Sequence, residues 1–111
     1  MQLRSTICAL ATPPGEGGIA VVRLSGPDAY PIAAKVFAPI HKEKSVLEAK
    51  GYTALCGHYL LDGQEMDETV ALFYRAPRSY TGEDVVELSV HGGSAMADGL
   101  QQSLIAAGAM P

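Results

Sequence analysis

The chain has 111 residues, which suits one domain with one hydrophobic core. Its hydrophobic content of 48% and charged content of 18% are those of a folded protein and exclude a disordered chain. The formal net charge of −4 argues against a nucleic-acid-binding surface formed by this chain alone, because binding phosphate groups requires a basic stripe.

The first two predicted elements are strands joined by a loop rich in proline and glycine. Residues 6–11 form a short apolar run, and residues 19–25 form a strand that is apolar on both faces except at Arg23. A strand of that kind is an inner strand, covered by helices or by another subunit. Residues 12–18 lack the lysine and hydroxyl residue of a phosphate-binding loop, so a tight connection and a loop that a ligand approaches closely are the alternatives.

Arg23 needs an explanation, because a charged group inside a sheet is costly unless it is paired. One interpretation is an arginine at a strand end that extends its guanidinium into water. The other is a guanidinium held for an anionic or carbonyl-bearing ligand.

The middle of the chain begins with a helix and a surface loop. Asp28 is the expected N-cap, and Pro39 is expected to end the helix. Mixed charges over residues 41–50 indicate a solvated loop, in which His41 is exposed. The apolar stripe of the helix consists of Ile32, Ala33, Val36 and Phe37.

A β-hairpin is predicted next, because an Asp-Gly turn pair at residues 62–63 separates residues 52–61 from residues 66–74. Asp67 and Glu68 lie near the start of the second arm. Adjacent strand residues point to opposite faces, so we interpret these two carboxylates as a solvated strand end rather than as an acid–base pair.

The last strand carries a row of polar side chains on one face. Residues 84–90 alternate between an aliphatic and a polar face. A carboxylate in mid-strand must be hydrogen-bonded or it destabilises the fold, so Glu87 is the predicted centre of a site. The aliphatic face consists of Val86, Leu88 and Val90, and the other face of Val85, Glu87, Ser89 and His91.

A closing helix follows residues 92–93, with Ser94 as the expected N-cap and Gly108 just beyond its end. The elements therefore follow the order β-β-α-β-β-β-α. Strands that outnumber helices, with hairpin connections, predict an α+β fold. We expect a single domain over residues 1–111, with a mixed β-sheet and the helices packed on one face.

Glu87 and Arg23 together predict a ligand clamp. A carboxylate matches a flat heterocycle that presents a ring N–H beside an exocyclic amine, as pterins and guanines do, because both donors meet both oxygens. The Arg23 guanidinium matches a carbonyl or carboxylate group. If the two residues lie on neighbouring strands, they form the clamp on the face that the helices leave open; the alternative is that they pair only with each other.

Other candidate sites are weaker. Residues 91–94 read HGGS, which fits an anion at a helix N-terminus or an oxyanion hole, but the chain lacks the G-x-S-x-G nucleophile motif of hydrolases. We predict no metal site, because His41, His58 and His91 show no ligand spacing with the cysteines. Cys8 and Cys56 are interpreted as reduced core thiols.

The ends of the chain bear on its location and completeness. No apolar run is long enough for a membrane span and no signal peptide is recognisable, so a cytoplasmic location is expected. The chain stops at Pro111 directly after the closing helix, which suggests a piece of a longer protein.

Two long motifs carry a family resemblance. Residues 11–29 read ATPPGEGGIAVVRLSGPDA, and residues 76–93 read APRSYTGEDVVELSVHGG. With the Asp-Gly pair between them, they closely resemble the amino-terminal domain of the tRNA-modification GTPase family MnmE, also called TrmE. The resemblance runs from near the start of the chain to residues 108–109.

The resemblance implies a fold similar to the folate-binding part of glycine-cleavage aminomethyltransferases. It also implies a constitutive homodimer that binds a one-carbon-loaded tetrahydrofolate, in the 5-formyl or methylene form. Family positions that contact folate match Arg23 and Glu87. The full-length protein would carry a helical domain with an inserted GTPase, which uses GTP with Mg and K ions. With a flavoprotein partner, MnmG (GidA), it would make a carboxymethylaminomethyl-type modification of the wobble uridine of certain tRNAs.

The chain departs from the family pattern in two respects. It stops before the Pro-Gly-Glu-Phe-Thr segment and the helical domain that completes the folate pocket, and it has no P-loop. We therefore expect that this chain alone cannot hydrolyse GTP and that its folate site is incomplete. The alternative function is a purely structural dimerisation module, with Arg23 and Glu87 as an internal ion pair.

Overall fold

A computed structural model describes residues 5–12, 18–91 and 93–111 of the chain. The predicted loop at residues 12–18 therefore lies mostly outside the described residues, as does position 92. In the described part, six strands form one sheet in the order β1-β2-β6-β5-β4-β3. The elements in chain order are β1 Ile7–Leu10, β2 Ile19–Ser25, α1 Ala29–Val36, β3 Phe37–Pro39, β4 Thr53–Leu61, β5 Gln64–Tyr74, β6 Val85–His91 and α2 Gly93–Ala106.

Both helices pack on the same face of the sheet. They contact each other, and both contact the central strands β2 and β6. The core lies between these two layers, as the alternation of β2 and β6 requires, and the predicted α+β class is confirmed. Its fully buried side chains include Val22, Leu24, Phe73, Leu88, Val90, Leu100 and Leu104.

The sheet is antiparallel rather than mixed. All five pairings between the named strands are antiparallel. The reason is the connectivity: β4, β5 and β6 follow one another as neighbours with a reversal at each connection, and β6 then pairs with β2. No parallel crossover is needed to complete these pairings.

The segment after α1 is a strand, whereas the sequence predicted that the helix continues to Pro39. The helix ends at Val36, and Phe37 has the extended conformation φ −129°, ψ 131° while its N–H still bonds to Ala33 O. Gly57 lies opposite Pro39 on β4 and permits this close pairing, because a Cβ at Gly57 would lie 2.1 Å from the Ala38 carbonyl oxygen. Pro39, which lacks an N–H, is tolerated because β3 is an edge strand.

The Asp-Gly turn of the predicted hairpin is confirmed. Asp62 (φ 52°) and Gly63 (φ 81°) both have left-handed backbone conformations. Positive φ at both central residues is the requirement of the two-residue type I′ turn, whose twist matches the flanking strands. The second arm consequently begins directly after the turn, at Gln64 rather than at residue 66.

The two helices begin and end close to the predicted positions, but the predicted N-cap interactions are not formed. Asp28 precedes α1, but its side chain makes no capping hydrogen bond; instead its backbone N–H donates to Thr6 Oγ1 at 2.8 Å. Helix α2 begins at Gly93, one residue before the predicted start, so Ser94 is not its N-cap. Gly108 lies beyond α2 with φ 125°, as a C-terminal glycine should.

The last residues of the chain return to β1. Cys8 N donates to Met110 O at 2.8 Å, and Met110 N donates to Thr6 O at 2.9 Å. A parallel bridge thereby joins Ile7 to Met110 at the outer side of the sheet. Among the described residues, no helix is both long and apolar enough to cross a membrane.

The Gly57 contact leads to a stability prediction. Gly57→Ala should lower the free energy of unfolding by roughly 1–3 kcal/mol, because the added methyl group meets a backbone oxygen that can move only if β3 separates from β4. Gly99→Ala is the matched control: its Cβ would lie 3.7 Å from the nearest atom, in the interior of α2. This change should raise stability by about 0.5–1 kcal/mol. Urea denaturation measures both, and an unchanged midpoint for Gly57→Ala would contradict the close pairing of β3.

Candidate functional site

The pairing register of β2 and β6 brings the two predicted site residues together. Arg23 and Glu87 are directly opposite each other on these neighbouring antiparallel strands. Partners in an antiparallel pair project from the same face, and this is the face away from the helices, because Val22, Leu24 and Leu88 beside them are buried in the core. The predicted placement on neighbouring strands and on the open side of the sheet is therefore confirmed.

Arg23 and Glu87 form an ion pair with an unequal geometry. Arg23 Nε lies 2.8 Å and Nη2 2.6 Å from the carboxylate, and both nitrogens meet the same oxygen, Oε2. Oε1 is not used by this ion pair. The side chains are 33% and 16% exposed, so the pair is partly open to solvent. A carboxylate has about four acceptor positions, and Glu87 retains capacity to accept further hydrogen bonds.

Tyr74 on β5 is a second partner of Glu87. Burial, the negative charge of Glu87 and a side-chain hydrogen bond to Glu87 together raise the pKa of Tyr74, although the nearby Arg23 opposes this. The hydroxyl therefore stays protonated to higher pH than that of an ordinary tyrosine. The Tyr52 ring meets the Tyr74 ring edge-on, with 5.8 Å between ring centroids and an interplanar angle of 87°.

The loop before β6 places an aromatic ring on the other side of the pair. The Tyr80 ring is 89% exposed, and the Arg23 guanidinium carbon lies 5.4 Å from its centroid. Its neighbours are anchored: Thr81 Oγ1 lies 2.7 Å from Ser25 Oγ, and Ser79 Oγ donates to the backbone oxygen of Glu83. Gly82 supplies the positive φ of 81° that the loop requires.

A shallow groove of about 240 Å³ lies on the strands next to β6, and neither Arg23 nor Glu87 lines it. Its lining includes Leu72, which is the cross-strand partner of Glu87, and Tyr74, whose pKa is raised in part by the charge of Glu87. Tyr52 forms another part of the lining. Glu87 therefore adjoins an apolar and aromatic groove rather than being enclosed in the aliphatic core.

The face around this groove is largely apolar and is called the open face below. It is defined by two cross-strand rows and by exposed apolar side chains at its margin. In the described part of the chain, neither helix covers it. The rows are Arg23–Glu87–Leu72–Ala54 and Val21–Ser89–Val70–Cys56, and the exposed side chains include Ile19 and Val70.

Asp67 is not the solvated strand end that the sequence predicted. Its carboxylate accepts the backbone N–H of His91, and its Oδ1 lies 3.3 Å from His91 Nδ1. The reason is that β5 and β6 separate here and the Asp67 side chain replaces the missing backbone partner. Glu68 is exposed as expected. The His91 ring is more than half exposed, and it lines a second groove of about 300 Å³ with Cys56 and Val70.

The two cysteines differ, which corrects the prediction that both are core thiols. Cys8 is buried, and this burial raises the pKa of its thiol. Cys56 is exposed because it lies on the open face, opposite Val70. Within residues 5–12, 18–91 and 93–111, no group of three or more His, Cys, Asp or Glu side chains is arranged to hold a metal ion.

Three tyrosines around the ion pair were not identified from the sequence. Tyr74 alternates with Phe73 and reads as one more residue of a buried strand. Tyr52 reads as the first residue of a hairpin arm, and Tyr80 as part of a loop. Of the three, only Tyr80 lies inside a motif from which it could have been predicted. The positions of Tyr74 and Tyr52 relative to Glu87 depend on the order of strands in the sheet, which local sequence patterns do not specify.

Comparisons with known proteins agree with the motifs. A family model described as GTP-binding protein TrmE N-terminus matches residues 6–111. The chain is similar to the "tRNA modification GTPase MnmE" of Chlamydia abortus, with 50% identity over 111 residues that cover 100% of this chain and 24% of the relative.

Two other relatives show the same pattern. The protein of that name from Parabacteroides distasonis is 46% identical over 105 residues, covering 94% of this chain and 23% of the relative. The one from Thermus thermophilus is 44% identical over 113 residues, covering 100% of this chain and 25% of the relative. The chain thus spans about a quarter of the length of the curated relatives it matches.

The contact between Tyr74 and Glu87 leads to a titration prediction. Glu87→Gln removes the negative charge that opposes tyrosinate formation, so the pKa of Tyr74 should fall toward the ordinary tyrosine value of about 10. Ultraviolet difference spectra of the variant and of Tyr74→Phe identify the titrating group. Glu43→Gln, a change in the exposed loop, should leave the titration unaltered. A Tyr74 pKa that does not respond to Glu87→Gln would contradict the contact.

Proposed function

The chain belongs to the family described as GTP-binding protein TrmE N-terminus, and on that basis we propose that it is the ligand-binding and dimer-forming amino-terminal domain of a tRNA-modification GTPase. The ligand in this proposal is a one-carbon-loaded tetrahydrofolate. The observation that carries the proposal is the Arg23–Glu87 pair on the open face, beside a groove with aromatic walls.

The hydrogen-bond donors and acceptors that the ion pair leaves unused match the polar groups on the ring of such a ligand. Arg23 occupies only Oε2 of Glu87, so Oε1 can accept one N–H donor of a pterin edge, and a contact through both oxygens requires Arg23 to release Oε2. A guanidinium carries five N–H donors, and Arg23 uses two of its nitrogens on Glu87, which leaves donors for a carbonyl oxygen of the ligand. Leu72, Tyr74 and Tyr52 would contact the ring itself. When bound, the folate would supply a one-carbon unit.

The size of the groove limits how much of a folate this chain can enclose. Small-molecule sites have volumes of about 300–1,000 Å³ and bury most of the ligand. A groove of about 240 Å³ suits the ring end alone. The rest of the ligand would contact the helical domain or a second copy of the chain, which agrees with the expectation that the site is incomplete here.

The activity proposed for the whole protein goes beyond this domain. We assign to the full-length protein GTP hydrolysis with Mg and K ions, and modification of the tRNA wobble uridine together with the flavoprotein MnmG (GidA). The relatives are named tRNA modification GTPases, which supports the general activity. The cytoplasmic location expected from the sequence stays a prediction.

A structural module without a ligand is the alternative, and one observation favours it. Arg23 and Glu87 do pair with each other. Solvent-exposed ion pairs contribute only about 0–1 kcal/mol, and in a more buried pair the loss of solvation offsets the attraction, so the pair itself is weak evidence for a stabilising role. The two functions therefore differ in what loss of Glu87 does: it impairs ligand binding in one, whereas in the other it only leaves Arg23 unpaired and lowers stability.

Calorimetric titration with 5-formyl-tetrahydrofolate tests the ligand. The full-length gene product should bind it, and Glu87→Ala should weaken binding at least about tenfold, because hydrogen bonds to a charged acceptor contribute about 1.5–3 kcal/mol. Glu43→Ala, on the exposed loop, should bind as the unchanged protein does. Binding that survives Glu87→Ala undiminished would refute the clamp, and no binding by the unchanged protein would refute the folate proposal. The 111-residue chain should bind more weakly than the full-length product.

Sedimentation tests the homodimer. The protein should sediment as a dimer through the open face, and Val70→Lys should convert it to a monomer, because an unpaired charge buried in an interface costs about 3 kcal/mol or more. Leu61→Lys, at an exposed position by the hairpin turn, is the matched control and should leave the dimer intact. A monomeric unchanged protein would contradict dimerisation. A Val70→Lys variant that stays dimeric would place the interface elsewhere.

A further inference from the structure

Tyr52 has a backbone conformation that its side chain disfavours. Its φ is 61°, and Asp62 is the only other non-glycine residue with positive φ in the described part of the chain. Both residues lie in turns, but Asp62 has a short polar side chain that tolerates this region, whereas a bulky aromatic residue is strained there. Strain of this kind persists where a side chain must be placed for a purpose, so Tyr52 calls for a functional explanation.

The strained position is fixed from both sides. Tyr52 N donates to Phe73 O at 2.7 Å, which ties it to the end of β5. Arg75 follows directly after the last residue of β5. It donates from Nε to Ala49 O at 3.1 Å and from Nη2 to Leu47 O at 2.7 Å. The segment that leads to Tyr52 is therefore attached to the strand that carries Tyr74. Tyr52 is held in place rather than left at the tip of a free loop.

The Tyr52 ring does not pack into the core. It is 70% exposed, and its ring contact is the edge-on one with Tyr74. The same ring lines the groove beside Glu87. The Tyr52 ring therefore contacts the Tyr74 ring, and Tyr74 lies near enough to Glu87 for that carboxylate to raise its pKa.

We infer that Tyr52 is the specificity-determining aromatic wall of this site. A flat heteroaromatic ring would place its N–H edge against Glu87 and its face against Tyr52. A ligand with N–H donors but no planar ring would hydrogen-bond to Glu87 and would not stack on Tyr52. This inference rests on the proposed function and adds to it a residue outside both sequence motifs. The edge-on contact with Tyr74 then orients the wall.

A ring kept only for packing would predict something different. Asparagine adopts left-handed conformations more readily than tyrosine does, so Tyr52→Asn relieves backbone strain while it removes the ring. If the ring served stability, its loss would lower the melting temperature. If it serves the ligand, stability is retained and affinity is lost.

The experiment measures binding and stability of Tyr52→Asn and Tyr52→Phe in the full-length gene product, with 5-formyl-tetrahydrofolate as the probe. We expect Tyr52→Asn to weaken binding roughly tenfold, a size typical of lost ring stacking, with no lower melting temperature. Tyr52→Phe keeps the aromatic face and should bind within about threefold of the unchanged protein.

A spectroscopic readout separates direct contact from an indirect effect. The 111-residue domain contains five tyrosines and no tryptophan, so tyrosine emission can be followed on the isolated chain. Ligand addition should change this emission, and the change should shrink in Tyr52→Phe although that variant still binds. A direct contact predicts both results together.

The outcomes are distinguishable. Binding by the unchanged protein, lost in Glu87→Ala but unaffected by Tyr52→Asn, overturns the role of Tyr52 and leaves the proposed function standing. A Tyr52→Asn variant that loses stability in parallel with affinity overturns the role of a ligand wall in favour of packing. If the unchanged protein binds no folate, the proposed function fails and the inference fails with it.

Discussion

The register between β2 and β6 is the constraint on which the site depends. These central strands place Arg23 opposite Glu87 and at the same time place Val22, Leu24 and Leu88 in the core. Side chains alternate along a strand, so a shift of one residue would turn Glu87 toward the helices and an aliphatic side chain toward solvent. The cost of burying an unpaired carboxylate enforces the observed register. The hydrophobic core and the ion pair are therefore two results of one alignment.

The open face relates the proposed ligand to the proposed dimer. The groove beside Glu87 and the exposed apolar side chains around it lie on the same side of the sheet. If a second copy covers this face, it also covers the approach to the groove, so ligand and partner would change each other's affinity. Such coupling is reciprocal by thermodynamic necessity. Among the described residues, neither helix covers this side of the sheet, so a small domain would have room for both proposed tasks.

Local patterns predicted those parts of the structure that local chemistry determines. The alternation of β6 identified Glu87, and the Asp-Gly pair identified the hairpin turn, because each depends on a few consecutive residues. Two features that depend on strand neighbours escaped prediction. The local pattern places Phe37 in the helix. Its strand conformation depends on Gly57, which lets β3 pair closely with β4. Tyr74 reads as an ordinary strand residue, since its partner Glu87 lies on a strand that follows a loop.

The bridge between Met110 and β1 has a consequence for self-association. Strands at the margins of a sheet expose unpaired backbone groups that can recruit another chain and start aggregation. At one margin, the N–H of Cys8 and the carbonyl of Thr6 are already bonded to Met110. At the opposite margin, β3 is only three residues long and ends in a proline. Both margins are thereby protected against uncontrolled strand addition, and association of copies is directed to the faces of the sheet.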